Sequence, residues 1–250
     1  MKTKNKLILF SIFLIFLLFL IIITFSINYN SNNSRENFNN TNTSNTSNKS
    51  NTFNIILLGD SILANENYVI NPSKNSVYSQ LKEALNLKSK KSSNQSYTIY
   101  CYAEDNAFIN DVYNQLNKLN SQDLNQSQTN IIILSIGGND LINQTKTKLK
   151  QEYKLLIKSI QEKFPNSKLI ICDIYYPKSS YYNQFNDIIK NWNNFLSNLI
   201  NQQNNENYSS NIIYLPLSIL LTENSDFINS IEPSISGSTK IINELIKLIN

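Results

Sequence analysis

Asn54-Ile-Ile-Leu-Leu-Gly-Asp-Ser61 is a short apolar run closed by a glycine, an acid and a serine. A run of this length bounded by turn residues reads as a strand buried on both faces. Four further runs rich in Ile, Leu, Tyr and Val read the same way: Tyr97–Tyr102, Ile131–Ile136, Lys168–Ile174 and Asn211–Leu215. Segments with helical spacing separate them. Residues 76–87 place Val77, Leu81, Ala84 and Leu85 on one face, and residues 109–119 do so with Ile109, Val112, Tyr113 and Leu116. Residues 146–164, 184–201 and 238–249 are also amphipathic, the last through Ile241, Ile242, Leu245 and Leu248. Strand alternating with helix predicts an α/β three-layer sandwich around a five-stranded parallel sheet. Chemistry in such a sheet is expected at the carboxyl ends of strands.

Only residues 53–250 suit that domain. Residues 1–6 carry Lys2, Lys4 and Lys6, and residues 7–27 are apolar but for Ser11, Thr24 and Ser26. About 20 such residues span a bilayer core. The stretch is longer than the apolar region of a cleaved signal peptide. The expectation is a single-pass anchor with residues 1–6 cytoplasmic and the C-terminal domain extracytoplasmic. Residues 28–52, dominated by Asn, Ser and Thr, read as a disordered linker with weak acceptor triplets for glycosylation at Asn42, Asn45 and Asn48. Lys2, Lys4, Lys6, Arg35 and Lys49 against Glu36 account for the whole formal charge of +4. The domain is thus formally neutral, which speaks against a nucleic-acid partner. With no histidine and two cysteines the chain has no plausible zinc ligand set. Cys101 and Cys172 fall in runs that should not be neighbours, and free thiols are expected over a disulfide. No metal and no cofactor is expected.

The chain has four glycines, where average usage gives roughly 18. Gly59, Gly137 and Gly138 fall at expected strand ends, and Gly237 near the start of the last helix. Gly59-Asp60-Ser61 at a strand-to-helix turn exposes a serine hydroxyl, although Ser61 also suits a plain helix N-cap. Gly137-Gly138-Asn139-Asp140 adds a flexible backbone and an amide donor, or else an ordinary turn. Together the two motifs and the element pattern resemble the SGNH/GDSL hydrolase family over residues 53–250, which implies a flavodoxin-like sheet. The resemblance implies Ser61 as nucleophile and Asn139 as an oxyanion donor.

Two positions depart from the family pattern. The family has a glycine after the second strand whose N–H completes the oxyanion hole; here Ala103-Glu-Asp-Asn106-Ala107 puts Asn106 in that place. Asparagine tolerates left-handed angles, so the N–H can persist. The family also ends in Asp-x-x-His-Pro before a glycine. Asn229-Ser-Ile-Glu232-Pro233-Ser-Ile-Ser-Gly237 keeps the proline and glycine but has Glu232 for the histidine and Asn229 for the aspartate. A carboxylate base has no tautomer to fix, so losing both together is self-consistent. Burial or the charge of Asp60 can raise the proton affinity of Glu232, and Asp226 is close enough in sequence to share a proton with it. One expectation is a membrane-anchored Ser61–Glu232 esterase acting on lipid or O-acylated glycan esters, most active at mildly acid pH. The competing one is a catalytically inactive domain that binds an acyl or glycan ligand. Tyr175-Tyr176-Pro177 and Tyr181-Tyr182 read as rim packing or as a substrate groove.

Overall fold

The computed structural model describes residues 51–92, 94–119, 129–143, 148–206 and 211–249. Five parallel strands form one sheet: β1 (Asn51–Gly59), β2 (Gln95–Cys101), β3 (Thr129–Ser135), β4 (Lys168–Cys172) and β5 (Ile212–Leu215), in the order β2-β1-β3-β4-β5. All five expected runs are strands. β1 begins inside the tract read as linker because Asn51 and Thr52 pair with Gln95 and Ser96 of β2.

The strand order reverses at β1: the chain moves out to β2, then crosses back to β3 on the other side. A crevice opens at such a reversal, outside the carboxyl ends of the strands. Here it falls between β1 and β3, where Gly59 and Ser135 are register partners.

Successive strand side chains point to opposite faces. Ile55, Leu57, Ile131 and Ile133 pack against Val77, Leu81 and Leu85 of the helix Val77–Lys91 and against Ile241 and Leu245 of the last helix, Ile235–Leu248. Ile56, Leu58, Ile132 and Leu134 face the other way, onto Asp111–Lys118, Leu149–Lys163 and Asn186–Glu206 through Val112, Leu156 and Trp192. Each aliphatic chain so buried contributes about 1.5–3 kcal/mol. Cys101 and Cys172 are free thiols on β2 and β4, which β1 and β3 separate.

Three expectations need correction. Residues 61–70 form turns, not the start of a helix, with Leu63 and Ala64 N–H both donating to Asp60 O at 3.1 Å. The next long helix is capped by Ser76, whose Oγ accepts from Ser79 N, so Ser61 is no helix cap. Secondly, the last helix, expected over residues 238–249, begins at Ile235, and before it lies an antiparallel hairpin, β6 (Phe227–Ile228) with β7 (Glu232–Pro233). Strands of two residues are too short to carry a period. The third concerns the membrane. Among the described residues no helix is long and apolar enough to cross a bilayer. The span expected at 7–27 lies outside the described residues, as does most of the linker. The fold class among the described residues is therefore the α/β sandwich. The membrane anchor, the membrane as partner and the single-pass location are withdrawn with it.

Candidate active site

At the carboxyl end of β1 the chain turns sharply. Gly59 has φ +133°, and a Cβ there would lie 1.7 Å from the carbonyl oxygen of Ser135. The next residue's N–H donates to that same oxygen at 3.0 Å (Asp60 N to Ser135 O). The buried Gln115 amide brackets Gly59 from the helix side, accepting from its N–H and donating to its carbonyl, both at 2.8 Å. These bonds lead the chain out of the sheet and leave Ser61 at its top edge. Gln115 was not foreseen, because a polar residue among the helix's apolar positions gives no sequence signal of its own.

Ser61 Oγ donates to Glu232 Oε1 at 3.1 Å, and both residues are only 8% exposed. They come from positions 171 residues apart. Asn65 joins the two regions: it is fully buried, its Nδ2 donates to Pro233 O and Ser238 Oγ at 3.3 and 3.0 Å, and its Oδ1 accepts from Val77 N. Asp60, Ser61, Gly138, Asn139 and Glu232 all line one pocket of about 50 Å³, with Ile62, Ile142, Ile174 and Ile189 among its apolar walls. Asn139 Nδ2 donates to Ala107 O at 2.9 Å, which ties the β3 loop to the β2 loop beside Asn106.

The remaining expected residues are placed elsewhere. Asn106 does adopt the left-handed conformation, φ 58°, but it is exposed and is not among the residues lining the pocket. Asn229 and Ser230 are both left-handed, and Ile231 N–H donates to Ile228 O across them. Asn229 thus makes a tight hairpin turn, a position that asparagine favours. Among the described residues no side-chain hydrogen bond links it to Glu232. The Asp226 carboxylate accepts from Thr222 N, Glu223 N and Lys240 Nζ. Burial pushes this carboxyl up, but the Lys240 ammonium and the two backbone donors outweigh it and hold it below the ordinary aspartate range. Asp226 is an ionised anchor for the last helix, not a partner that shares a proton with Glu232.

Burial dominates the electrostatics of the pocket. It pushes Glu232 up; the hydrogen bond from Ser61 pulls it down and the charge of Asp105 pushes it further, to about 7. Its second oxygen, Oε2, is buried with no hydrogen-bond partner among the described residues, which also favours the neutral form. Asp60 rises to about 8, chiefly through burial, against the Ile62 N–H that bonds its Oδ1 and with the charges of Glu232 and Asp140. The charges of Asp60 and Glu232 repel, so ionisation of one favours the neutral form of the other. The charge of Asp105 acts on Glu232 in addition to the repulsion between Glu232 and Asp60. Both oxygens of Asp105 accept from Tyr68 Oη, at 2.8 and 2.9 Å. Asp105 stands next to Asn106 in the β2 loop, and only the fold brings it near Glu232. Asp173, also on the lining, is occupied by Ser218 N and Tyr214 Oη, both at 2.8 Å.

A pH dependence of stability follows. Asp60 and Glu232 have folded-state values above their unfolded ones, so the folded chain binds the extra protons between about pH 4 and pH 8. Stability falls as pH rises through that window. The melting temperature is expected to be higher at pH 5 than at pH 8, and Asp60→Asn is expected to flatten the difference. A melting temperature that rises from pH 5 to pH 8 would overturn this assignment.

A family model described as GDSL-like lipase/acylhydrolase matches residues 55–241. A comparison with curated proteins finds no match by sequence. Among solved structures, a family 3 carbohydrate esterase from Clostridium thermocellum is 20% identical with a TM-score of 0.60, over 78% of this chain and 94% of that one. A lipolytic G-D-S-L protein from Veillonella parvula is 19% identical with a TM-score of 0.56, over 78% and 97%. An acetyl xylan esterase from Geobacillus stearothermophilus is 13% identical, TM-score 0.56, over 81% and 97%. These likenesses establish the fold. The family model runs from β1 through the glycine loop after β3 into the last helix, and so takes in Ser61, Asn139 and Glu232; on that match the chain belongs to the GDSL-like lipase/acylhydrolase family.

Proposed function

We propose that the domain hydrolyses acyl esters through a Ser61–Glu232 dyad. The observation that carries this reading is the buried hydrogen bond from Ser61 Oγ to Glu232 Oε1, 3.1 Å long, at the carboxyl end of the sheet. A nucleophile bonded to a base of suitable proton affinity is the minimum for acyl transfer. As the Ser61 oxygen bonds to the ester carbon, its proton passes to Glu232 Oε1. The carbonyl oxygen gains charge and takes hydrogen bonds from the Ser61 N–H and from Asn139 Nδ2, both on residues that line the pocket. An amide NH₂ has two donors, and Ala107 O uses one of those on Asn139. Collapse breaks the ester C–O bond, and the proton on Glu232 goes to the leaving alcohol. Water then attacks the acyl-serine and gives its proton to Glu232; as the acyl C–O bond breaks, Glu232 returns that proton to Ser61 Oγ and the acid departs.

A general base works best with a pKa near the operating pH. Glu232 at about 7 meets that condition, where an ordinary glutamate near 4.5 does not. The mildly acid optimum expected from sequence is accordingly replaced by a neutral to alkaline one. Measured on p-nitrophenyl acetate, kcat/KM should rise with pH through about 7 and level above it. Asp105→Asn removes the charge that raises Glu232, so its acid limb is expected to move to lower pH. A limb unmoved in that variant would exclude Asp105 from this role. A fluorophosphonate should label the wild-type chain and not Ser61→Ala. Absence of both turnover and labelling would leave a ligand-binding domain as the reading to adopt.

A further inference from the structure

The pocket at Ser61 is small, about 50 Å³. A cavity of about 150 Å³ takes a benzene. This pocket is a third of that, room for a carbonyl with one or two further carbons. Its walls are mostly apolar, with Ile62, Ile142, Ile174, Ile189, Ile231 and Pro177 around the polar group of Ser61, Asn139 and Glu232. They are also held in place. Ile189 is 2% exposed and packs, with Ile174, into the core beneath the sheet. Tyr175 donates its hydroxyl proton to Ile231 O and lies against Phe227, with ring centroids 5.1 Å apart. Close-packed interiors resist enlargement, so such walls do not swing aside for an added methylene.

The reaction decides which part of an ester enters. The alcohol leaves and water arrives along the side that Glu232 must protonate and deprotonate, and that side must reach solvent. The apolar walls of the pocket are left for the acyl group.

Resting on the Ser61–Glu232 reading, we infer that this protein is a short-acyl esterase, accepting acetyl and propionyl groups and excluding longer chains, with Ile142 as a wall that sets the limit. Ile142 is half-buried on a one-turn-and-a-half helix, Gly138–Asn143, at the pocket edge, so shortening it opens the pocket without emptying the core.

The experiment is a chain-length series of p-nitrophenyl esters from acetate to octanoate on the full chain. In parallel, Ser61 is labelled with methyl- and hexyl-phosphonate p-nitrophenyl esters. The misfit of a single methylene changes kcat/KM by about 10–200-fold. The expected result is a fall of about 10-fold or more between propionate and hexanoate, with methylphosphonate labelling faster than hexylphosphonate. Ile142→Ala is expected to raise the hexanoate-to-acetate ratio by about 10-fold. Octanoate turned over as well as acetate would overturn the size limit and leave the dyad standing. A ratio unmoved in Ile142→Ala would overturn the role of that wall. Failure of every ester and both phosphonates would sink the dyad itself and this limit with it.

Discussion

Ser61→Ala is expected to lower kcat/KM on a short-chain ester by about 1,000-fold or more. The substitution removes the attacking oxygen but leaves Asn139 and the backbone N–H of residue 61, so what remains is the catalysis that oxyanion stabilisation and binding supply alone. Glu232→Gln should cost a comparable factor for a different reason. The amide keeps the size and can accept the Ser61 proton as a hydrogen bond, but it cannot take that proton away. Because both residues serve one proton transfer, the double variant is expected to lose little more than the worse single one. Losses that multiply would mean that Ser61 and Glu232 act in separate steps. Full activity in Ser61→Ala would end the dyad proposal. The fold provides an internal control: Glu232→Gln removes a buried carboxyl whose ionisation opposes folding above about pH 7, so the variant should melt no lower than wild type at pH 8. Inactivity with an unchanged or raised melting temperature is then a chemical effect.

Gly59→Ala is the substitution expected to damage the fold most. Its Cβ would sit 1.7 Å from Ser135 O, a backbone atom of the adjacent strand, and the residue holds φ +133°. Left-handed strain in a non-glycine residue costs about 1–3 kcal/mol, and overpacking adds about 1–3 kcal/mol. Parting β1 from β3 also breaks the Asp60 N to Ser135 O bond and the Gln115 bracket. The sum is about 4 kcal/mol or more, a size reserved for a few mechanisms. In a domain of this size that lowers the melting temperature by about 10 °C or more. Calorimetry or a denaturant midpoint measures it, and a change within about 2 °C would show that the strand end can yield. Gly237 meets a related need, since a Cβ there would approach Asp226 O to 2.2 Å.

Ser61 and Asn139 were legible because each lies in a contiguous motif at the end of an apolar run, where local pattern and fold class agree. Glu232 was legible through the spacing of Pro233 and Gly237. Asp105, Tyr68, Asn65 and Gln115 were not. They act across long separations, and a buried amide or acid among polar neighbours in a sequence looks like any surface residue. Asp226 was offered as a partner of Glu232 because of nearness along the chain, and Asn229 because it stands at the position of the family's aspartate. One is held by Lys240 and the other turns a hairpin.

The sequence by itself determined the layers, the strands and the strand ends that border the candidate site, because period-2 and period-3.6 burial and the sparse glycines are local properties. Whether Glu232 meets Ser61, and what proton affinity it has there, only the tertiary structure decided. A hydrogen bond across 171 residues and a desolvated carboxyl depend on which surfaces exclude water together. That is a property of packed elements, not of any stretch of chain.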